Sequence, residues 1–333
     1  MRMETTMPQS MHYPWHQENR DKLWLTHQAG KLPHALLLSG ARGLGKHPFA
    51  IRFAASLLCR EPAADGVPCG TCQGCRLFRA GTHPDYRRIE PEAPGKAIRI
   101  DAIREFISRE GLTSQAGRYK ITIIEPADAL NVAAANSLLK TLEEPVPHTL
   151  IILITAHPGR LPATIRSRCQ HLKFAPPGRP QALQWLQEQG VADAGLLLDL
   201  TSGAPLQALG LADPDTLGLR LRMIEEFEGI FNGGMDPVEI AARWSRLDQP
   251  QTMQWLNGWI IDLIKLKISS GHQTLINSDQ GERLTGLALR ADLEMLYNLL
   301  DTVYEAIRTL GSQLNAQMVL ESMLLDWSGC RQR

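Results

Sequence analysis

Short, unbroken apolar runs alternate with helix-like patterns through the first half of the chain. Ala35-Leu-Leu-Leu38 has no polar interruption and predicts a buried strand. Ile121-Thr-Ile-Ile124 is rich in β-branched residues and predicts a second, and Leu150-Ile-Ile-Leu-Ile154 a third. Lys46–Leu58 reads as a helix, as does the Ala- and Leu-rich stretch 131–142, which Pro145 and Pro147 stop. Strands without a polar face, alternating with helices, imply a parallel sheet covered on both sides. Pro176-Pro177-Gly178 then breaks the chain as a linker would. Beyond it no strand pattern appears. Residues 181–189 and the Leu-rich run from Ala194 predict a small helical piece, and residues 215–327 are helical in pattern. Leu296, Leu299, Leu300, Val303, Ile307 and Leu310 recur mostly at three- and four-residue steps, one face of a long helix. A bundle core and an oligomer interface both require such a stripe. The fold class expected is thus α/β followed by all-α.

A chain of 333 residues has room for two or three domains. Its zero formal net charge gives no overall drive toward nucleic acid. The charge is unevenly divided, however. Residues 1–178 carry 23 Lys and Arg against 15 Asp and Glu, and residues 179–333 carry 12 against 20. The front half can therefore face phosphates or an acidic partner, unless these are simply two domains of opposite charge. No stretch reaches the ~18 consecutive apolar residues of a membrane span. Residues 1–30 lack the apolar core of a secretory signal, which points to the cytoplasm, and residues 1–12 read as a disordered leader.

Gly40-Ala-Arg-Gly43-Leu-Gly45-Lys46 follows a predicted strand and opens a predicted helix. That is the setting of a phosphate loop: Gly40, Gly43 and Gly45 let backbone N–H groups ring the phosphates, and Lys46 neutralises them. The chemistry around it is damaged. The next residue should carry a hydroxyl for Mg²⁺ but is His47, a poor ligand for a hard cation. Pro48 removes one backbone donor from the first turn. After the second strand, Glu125 stands where an Asp should bind Mg²⁺, and Pro126 where an acid should orient water. The reading is a phosphate-loop architecture with lost or very weak hydrolysis. Because Gly45-Lys46 is intact, binding of ATP or of phosphate alone stays open.

Cys69-Gly-Thr-Cys72-Gln-Gly-Cys75 places three thiols at two-residue intervals, and Cys59 offers a fourth ten residues upstream. Such turns point paired sulfurs at one tetrahedral ion, and a four-thiolate set leaves no open position for substrate. Structural zinc is therefore expected, as a knuckle over residues 59–75. Disulfides would need an oxidising compartment. Buried thiols fit poorly, because residues 66–68 and 70–74 look like loop. Cys169 and Cys330 stand apart, as small core or surface residues.

Further segments carry a resemblance: Tyr13-Pro14-Trp15, Ala80-Gly-Thr-His-Pro-Asp-Tyr86, Leu138-Leu-Lys-Thr-Leu-Glu-Glu-Pro145, Ser167-Arg168-Cys169, and Asn315 before the last helix. With the cysteine knuckle and the degenerate phosphate loop, the chain resembles the δ′-type AAA+ subunits of the bacterial DNA polymerase III clamp loader, over residues 13–333. The resemblance implies an AAA+ ATPase-like domain at 13–175, a helical lid at 176–212 and a helical collar at 213–333. It implies work in DNA replication, within a hetero-pentamer with δ and γ/τ subunits that acts on primed DNA and the sliding clamp. That complex belongs to a nucleotidyltransferase holoenzyme, and no catalysis is expected from the isolated chain. The resemblance also makes Arg168 an arginine finger that reaches a neighbour's ATP, with Arg166 nearby. An active γ/τ-type subunit would carry a nucleotide-sensing arginine where this chain has Leu206. Two alternatives are an active γ/τ-like ATPase, against which His47, Pro126 and Leu206 stand, and a zinc-dependent nucleic-acid-binding module. The knuckle lacks the interleaved aromatics of the latter.

Overall fold

Every residue of β1 (Ala35–Ser39) and β4 (Thr149–Thr155) is buried, as is all of β3 (Lys120–Ile124) after its first residue. Sequences that apolar cannot lie at an edge or face water, and they form the middle of a five-stranded sheet. The computed structural model describes residues 13–93, 95–110, 119–268, 274–309 and 315–331. The predicted leader, 1–12, and Leu310 lie outside them. The chain divides into two compact units, Met1–Gln181 and Ala182–Arg333.

In the first unit β2 (Tyr86–Ile89) and β5 (Gln170–Lys173) complete the sheet, in the order β2-β3-β4-β1-β5, all parallel. Neither edge strand was expected from the sequence. β5 buries only Leu172 of four residues, and β2 carries Arg87 and Arg88, so neither has a long apolar run. Around the sheet lie α1 (Gln17–Gln28), α2 (Lys46–Leu58), α3 (Gln73–Arg79), α4 (Ile100–Glu110), α5 (Val132–Glu143) and α6 (Ala163–Arg166). One face packs Ala35, Leu37, Ile124, Ile151 and Leu153 against Ile103 and Phe106 of α4 and Ala134 and Leu138 of α5. Leu36, Leu38, Ile152 and Ile154 alternate with these and so project to the opposite face. Each such buried side chain contributes about 1.5–3 kcal/mol. The Asn131 side chain accepts from Ala134 N at 2.8 Å and caps α5, whose predicted limits hold within a residue or two.

Apart from one isolated β-bridge between Ala291 and Arg331, the regular elements among the second unit's described residues are helices: α7 (Arg179–Glu188), α8 (Ala194–Leu200), α9 (Pro205–Leu211), α10 (Pro214–Phe231), α11 (Pro237–Trp244), α12 (Gln249–Ile268), α13 (Gly281–Arg290), α14 (Leu293–Thr309) and α15 (Ala316–Gly329). The division from the first unit falls at Gln181, inside α7. Leu296, Leu299 and Val303 of the predicted stripe are buried along α14. Phe227 stacks on Trp327 with centroids 4.2 Å apart, and the indole Nε1 donates to the Phe227 carbonyl at 2.7 Å. Beside this core runs a buried polar network. Arg220 is 1% exposed and grips Asp279 through two nitrogens, at 2.7 and 3.0 Å. It also donates to Asn277 Oδ1 at 2.7 Å. Asp262, fully buried on α12, accepts from the backbone N–H groups of Ile276 and Asn277 and from the Asn277 amide. Residues 276–279 are thereby tied to α10 and α12. Among the described residues no helix is long and apolar enough to cross a membrane.

Candidate functional site

The phosphate loop leaves the carboxyl end of β1 and turns into α2, the place where open parallel sheets bind ligands. Gly40 cannot be replaced, because a Cβ there would lie 2.2 Å from the Phe174 carbonyl oxygen. Gly43 and Gly45 have φ of 73° and 82°, and Gly45 is the residue before the helix. Lys46 is buried, with its ammonium donating to the carbonyls of Gly40 and Ala41, both at 2.6 Å. Burial lowers its pKa to about 8, with Arg42 adding to the drop and Glu125 and Asp128 opposing it. The cation is thus held by its own loop.

Two further residues brace the loop from the N-terminal side. Trp15 Nε1 and His16 Nε2 both donate to the Leu44 carbonyl, at 3.1 and 2.8 Å. A Cβ on Gly45 would meet the His16 ring at 2.6 Å, and that ring packs edge-on against Phe49 and Phe174. The Tyr13-Pro14-Trp15 signature thus has a local physical role that sequence reasoning did not supply.

The substitutions that damage the site meet one another. His47 Nδ1, on the first turn of α2, forms a hydrogen bond with Glu125 Oε2 at the end of β3. The residue in the hydroxyl position and the residue in the metal-binding carboxylate position are therefore paired. Beside them Thr155, ending β4, donates to Asp128 at 2.5 Å and accepts from His157 N at 2.9 Å. Burial lowers the His157 pKa; Asp128 opposes the shift, while Arg160, Arg42 and Lys46 reinforce it. Several cations therefore gather at this end of the sheet.

Cys59, Cys69, Cys72 and Cys75 converge, with all four sulfurs within 4.8 Å of one another. The pairs 59–69, 59–72 and 69–75 stand 3.5, 3.8 and 3.9 Å apart. Four sulfurs each 2.3 Å from one tetrahedral ion are about 3.8 Å apart. All four are free thiols. Backbone N–H groups of Cys69, Cys72 and Cys75 donate to the sulfurs of Cys59, Cys69 and Cys72 at 3.3–3.4 Å. Those from Cys72 and Thr71 lower the Cys69 thiol pKa to about 6. The donor set fits a closed metal site. The expectation that residues 70–74 are loop needs correction: α3 starts at Gln73, capped by the Cys72 sulfur, and Gly74 is buried with no room for a Cβ beside the Leu58 carbonyl. Gly66 is likewise buried, against Trp24. Cys59 and Cys75 are themselves buried, so burial does not keep a thiol out of the cluster.

Arg168 follows α6, between Ile165 and Cys169, which are both buried in the sheet core. Its own side chain is 34% exposed and is bound locally: Nη2 meets Glu143 Oε1 at 2.6 Å, and Nη1 donates to the Thr164 carbonyl at 2.9 Å. The local ion pair and an outward-facing position occur together. Burial raises the Cys169 thiol pKa to about 12, which makes it an inert packing residue. Leu206 lies on α9 in the second unit, half-buried.

A parallel sheet with β1 between β4 and β5, a phosphate loop at its carboxyl end and a helical second unit define a P-loop α/β protein with an added helical part. The family model described as DNA polymerase III, delta subunit, matches residues 15–178, and that for its C-terminal part matches residues 214–329. The DNA polymerase III subunit delta′ of Pseudomonas aeruginosa is 33% identical, covering 95% of this chain and 97% of that protein. Its Escherichia coli counterpart is 35% identical over 76% of each chain. The subunit tau of Salmonella typhimurium is 30% identical over 86% of this chain but only 43% of that protein. The chain belongs to the DNA polymerase III δ′-subunit family.

Proposed function

We propose that this chain serves DNA replication in the cytoplasm as the δ′ subunit of the polymerase III clamp loader. In that role it completes a hetero-pentamer with δ and γ/τ subunits, and works on the sliding clamp and primed DNA only through that complex. Its domains are the AAA+ part at 13–175, a lid at 176–212 and a collar at 213–333. The four cysteines hold zinc as a structural ion, which ties residues 59–75 together and supplies no reactive position.

The observation that carries the non-hydrolysing assignment is the His47–Glu125 pair. Hydrolysis in this fold needs Mg²⁺ held by a hydroxyl and a carboxylate, and a second acid to orient water. Here the hydroxyl is an imidazole, the carboxylate is committed to that imidazole, and Pro126 offers no acid. Leu206 removes a fourth contact. What the subunit contributes is Arg168. A guanidinium placed on a neighbour's γ-phosphate spreads positive charge over the phosphoryl oxygens as they develop charge.

The purified chain is expected to show no steady ATP turnover above background. His47→Thr alone restores none, because the water-orienting acid is still missing. Hydrolysis by the wild-type chain that disappears in Lys46→Ala contradicts the assignment.

A further inference from the structure

We propose that Glu143 is a positioning residue that holds Arg168 ready for the neighbour's ATP; this deepens, and rests on, the trans-acting reading of Arg168. Glu143 is the last residue of α5, and its Oε1 lies 2.6 Å from Arg168 Nη2. The other nitrogen, Nη1, donates to the Thr164 carbonyl at 2.9 Å and reaches Ser167 Oγ at 3.5 Å. Ser167 Oγ itself donates to the same Thr164 carbonyl at 3.2 Å. The backbone on both sides is fixed, because Ile165 and Cys169 are buried in the sheet core. The His171 ring also ties down the Arg166 carbonyl, at 2.9 Å.

A long arginine on a surface turn ordinarily samples many rotamers, and freezing them on binding costs free energy. Here both terminal nitrogens are already anchored, so that cost falls on the subunit's own folding. A guanidinium has five N–H donors. The carboxylate, the carbonyl and the hydroxyl engage three of them, so donors remain for an incoming phosphate while Glu143 keeps its grip. Glu143 is 49% exposed and closes no core, so its removal reorients the finger without cutting into the packing. The two acidic residues of the Leu-Glu-Glu-Pro segment thereby separate: Glu143 faces Arg168, and no such contact joins Glu144 to it.

The test is a double-mutant cycle in the reconstituted clamp-loader complex, read as clamp- and DNA-stimulated ATPase at equal assembly. Glu143→Ala is expected to lower kcat about twofold, the scale of a half-exposed ion pair, with little change in KM for ATP. Glu143→Gln keeps the acceptor oxygen and should retain most of the rate. In an Arg168→Ala background Glu143→Ala should have no further effect. An equal loss in both backgrounds makes Glu143 a structural residue and overturns the proposal, as does a full rate for Glu143→Ala while Arg168→Ala is impaired. If Arg168→Ala itself runs at the wild-type rate, there is no finger to position, and the underlying reading falls with it.

Discussion

Cys72→Ser should lose the bound metal and unravel the knuckle while the helices of the second unit stay folded. Cys72 has two roles in the cluster: its sulfur is 3.8 Å from that of Cys59 and accepts the N–H of Cys75, so that it also caps α3. A serine hydroxyl is a poor soft-metal ligand and cannot reach as far as the thiolate did. Binding free energy at such sites, on the order of 10 kcal/mol, is folding free energy for the segment that wraps the ion. What remains of the anchorage is Phe78, which is 1% exposed with its ring 4.6 Å from that of Tyr86, and the Trp24 indole donating to the Ala64 carbonyl at 2.9 Å. These contacts tether the segment but do not specify its turns. The expected readings are about one zinc per wild-type chain with all-sulfur coordination by X-ray absorption, little in the variant, and faster proteolysis within residues 59–79. A wild-type chain that is folded and metal-free, or nitrogen and oxygen ligands on the ion, contradicts this.

Arg220→Ala should destabilise the second unit by about 3–5 kcal/mol, the usual cost of removing one partner from a buried ion pair. At a few degrees per kcal/mol for a unit of this size, the melting temperature falls by roughly 10 °C. The loss is large because Arg220 holds Asp279 and Asn277 together, and the Asn277–Asp262 bonds lie behind them. Arg220→Met keeps the volume but leaves Asp279 unpaired, so it should do little better. Acid should reproduce part of the effect. Burial raises the Asp279 pKa, but hydrogen bonds from Arg220 and Gln280 outweigh it, and the net shift is downward. A carboxylate with a lowered folded pKa gives stability that is complete above the unfolded value of about 4 and is lost as pH falls through the folded value. The gap between wild type and Arg220→Ala should therefore narrow below about pH 4. A melting temperature within a degree of wild type at neutral pH means the network does not hold residues 276–279.

The central strands were legible because burial on both faces forces unbroken apolar runs, as in Thr149–Thr155. The edge strands were not, since Gln170–Lys173 needs one buried residue only. The same contrast holds at the sites. The cysteines and the phosphate loop are local in sequence, so spacing revealed them; the Ser-Arg-Cys turn, equally local, was legible only through the family resemblance. The contacts that give them meaning are not local. His47 and Glu125 are 78 residues apart, and each was readable as a defect but not as the other's partner. Glu143 and Arg168 belong to two segments whose meeting depends on how α5 and α6 pack. The Arg220 network gave no signal, because charged residues in a helical pattern ordinarily face water.

The central claim is that this subunit acts on ATP held by a neighbour and not on its own. The direct measurement is the clamp- and DNA-stimulated ATPase of complexes reconstituted with wild-type or Arg168→Ala chains, matched for assembly and zinc content. The account predicts a partial loss of rate, since one of several ATP sites is affected, with Arg168→Lys no better because a point charge cannot reproduce the planar fork. Equal rates for the wild-type and Arg168→Ala complexes would contradict it, leaving Arg168 as the local partner of Glu143 and nothing more.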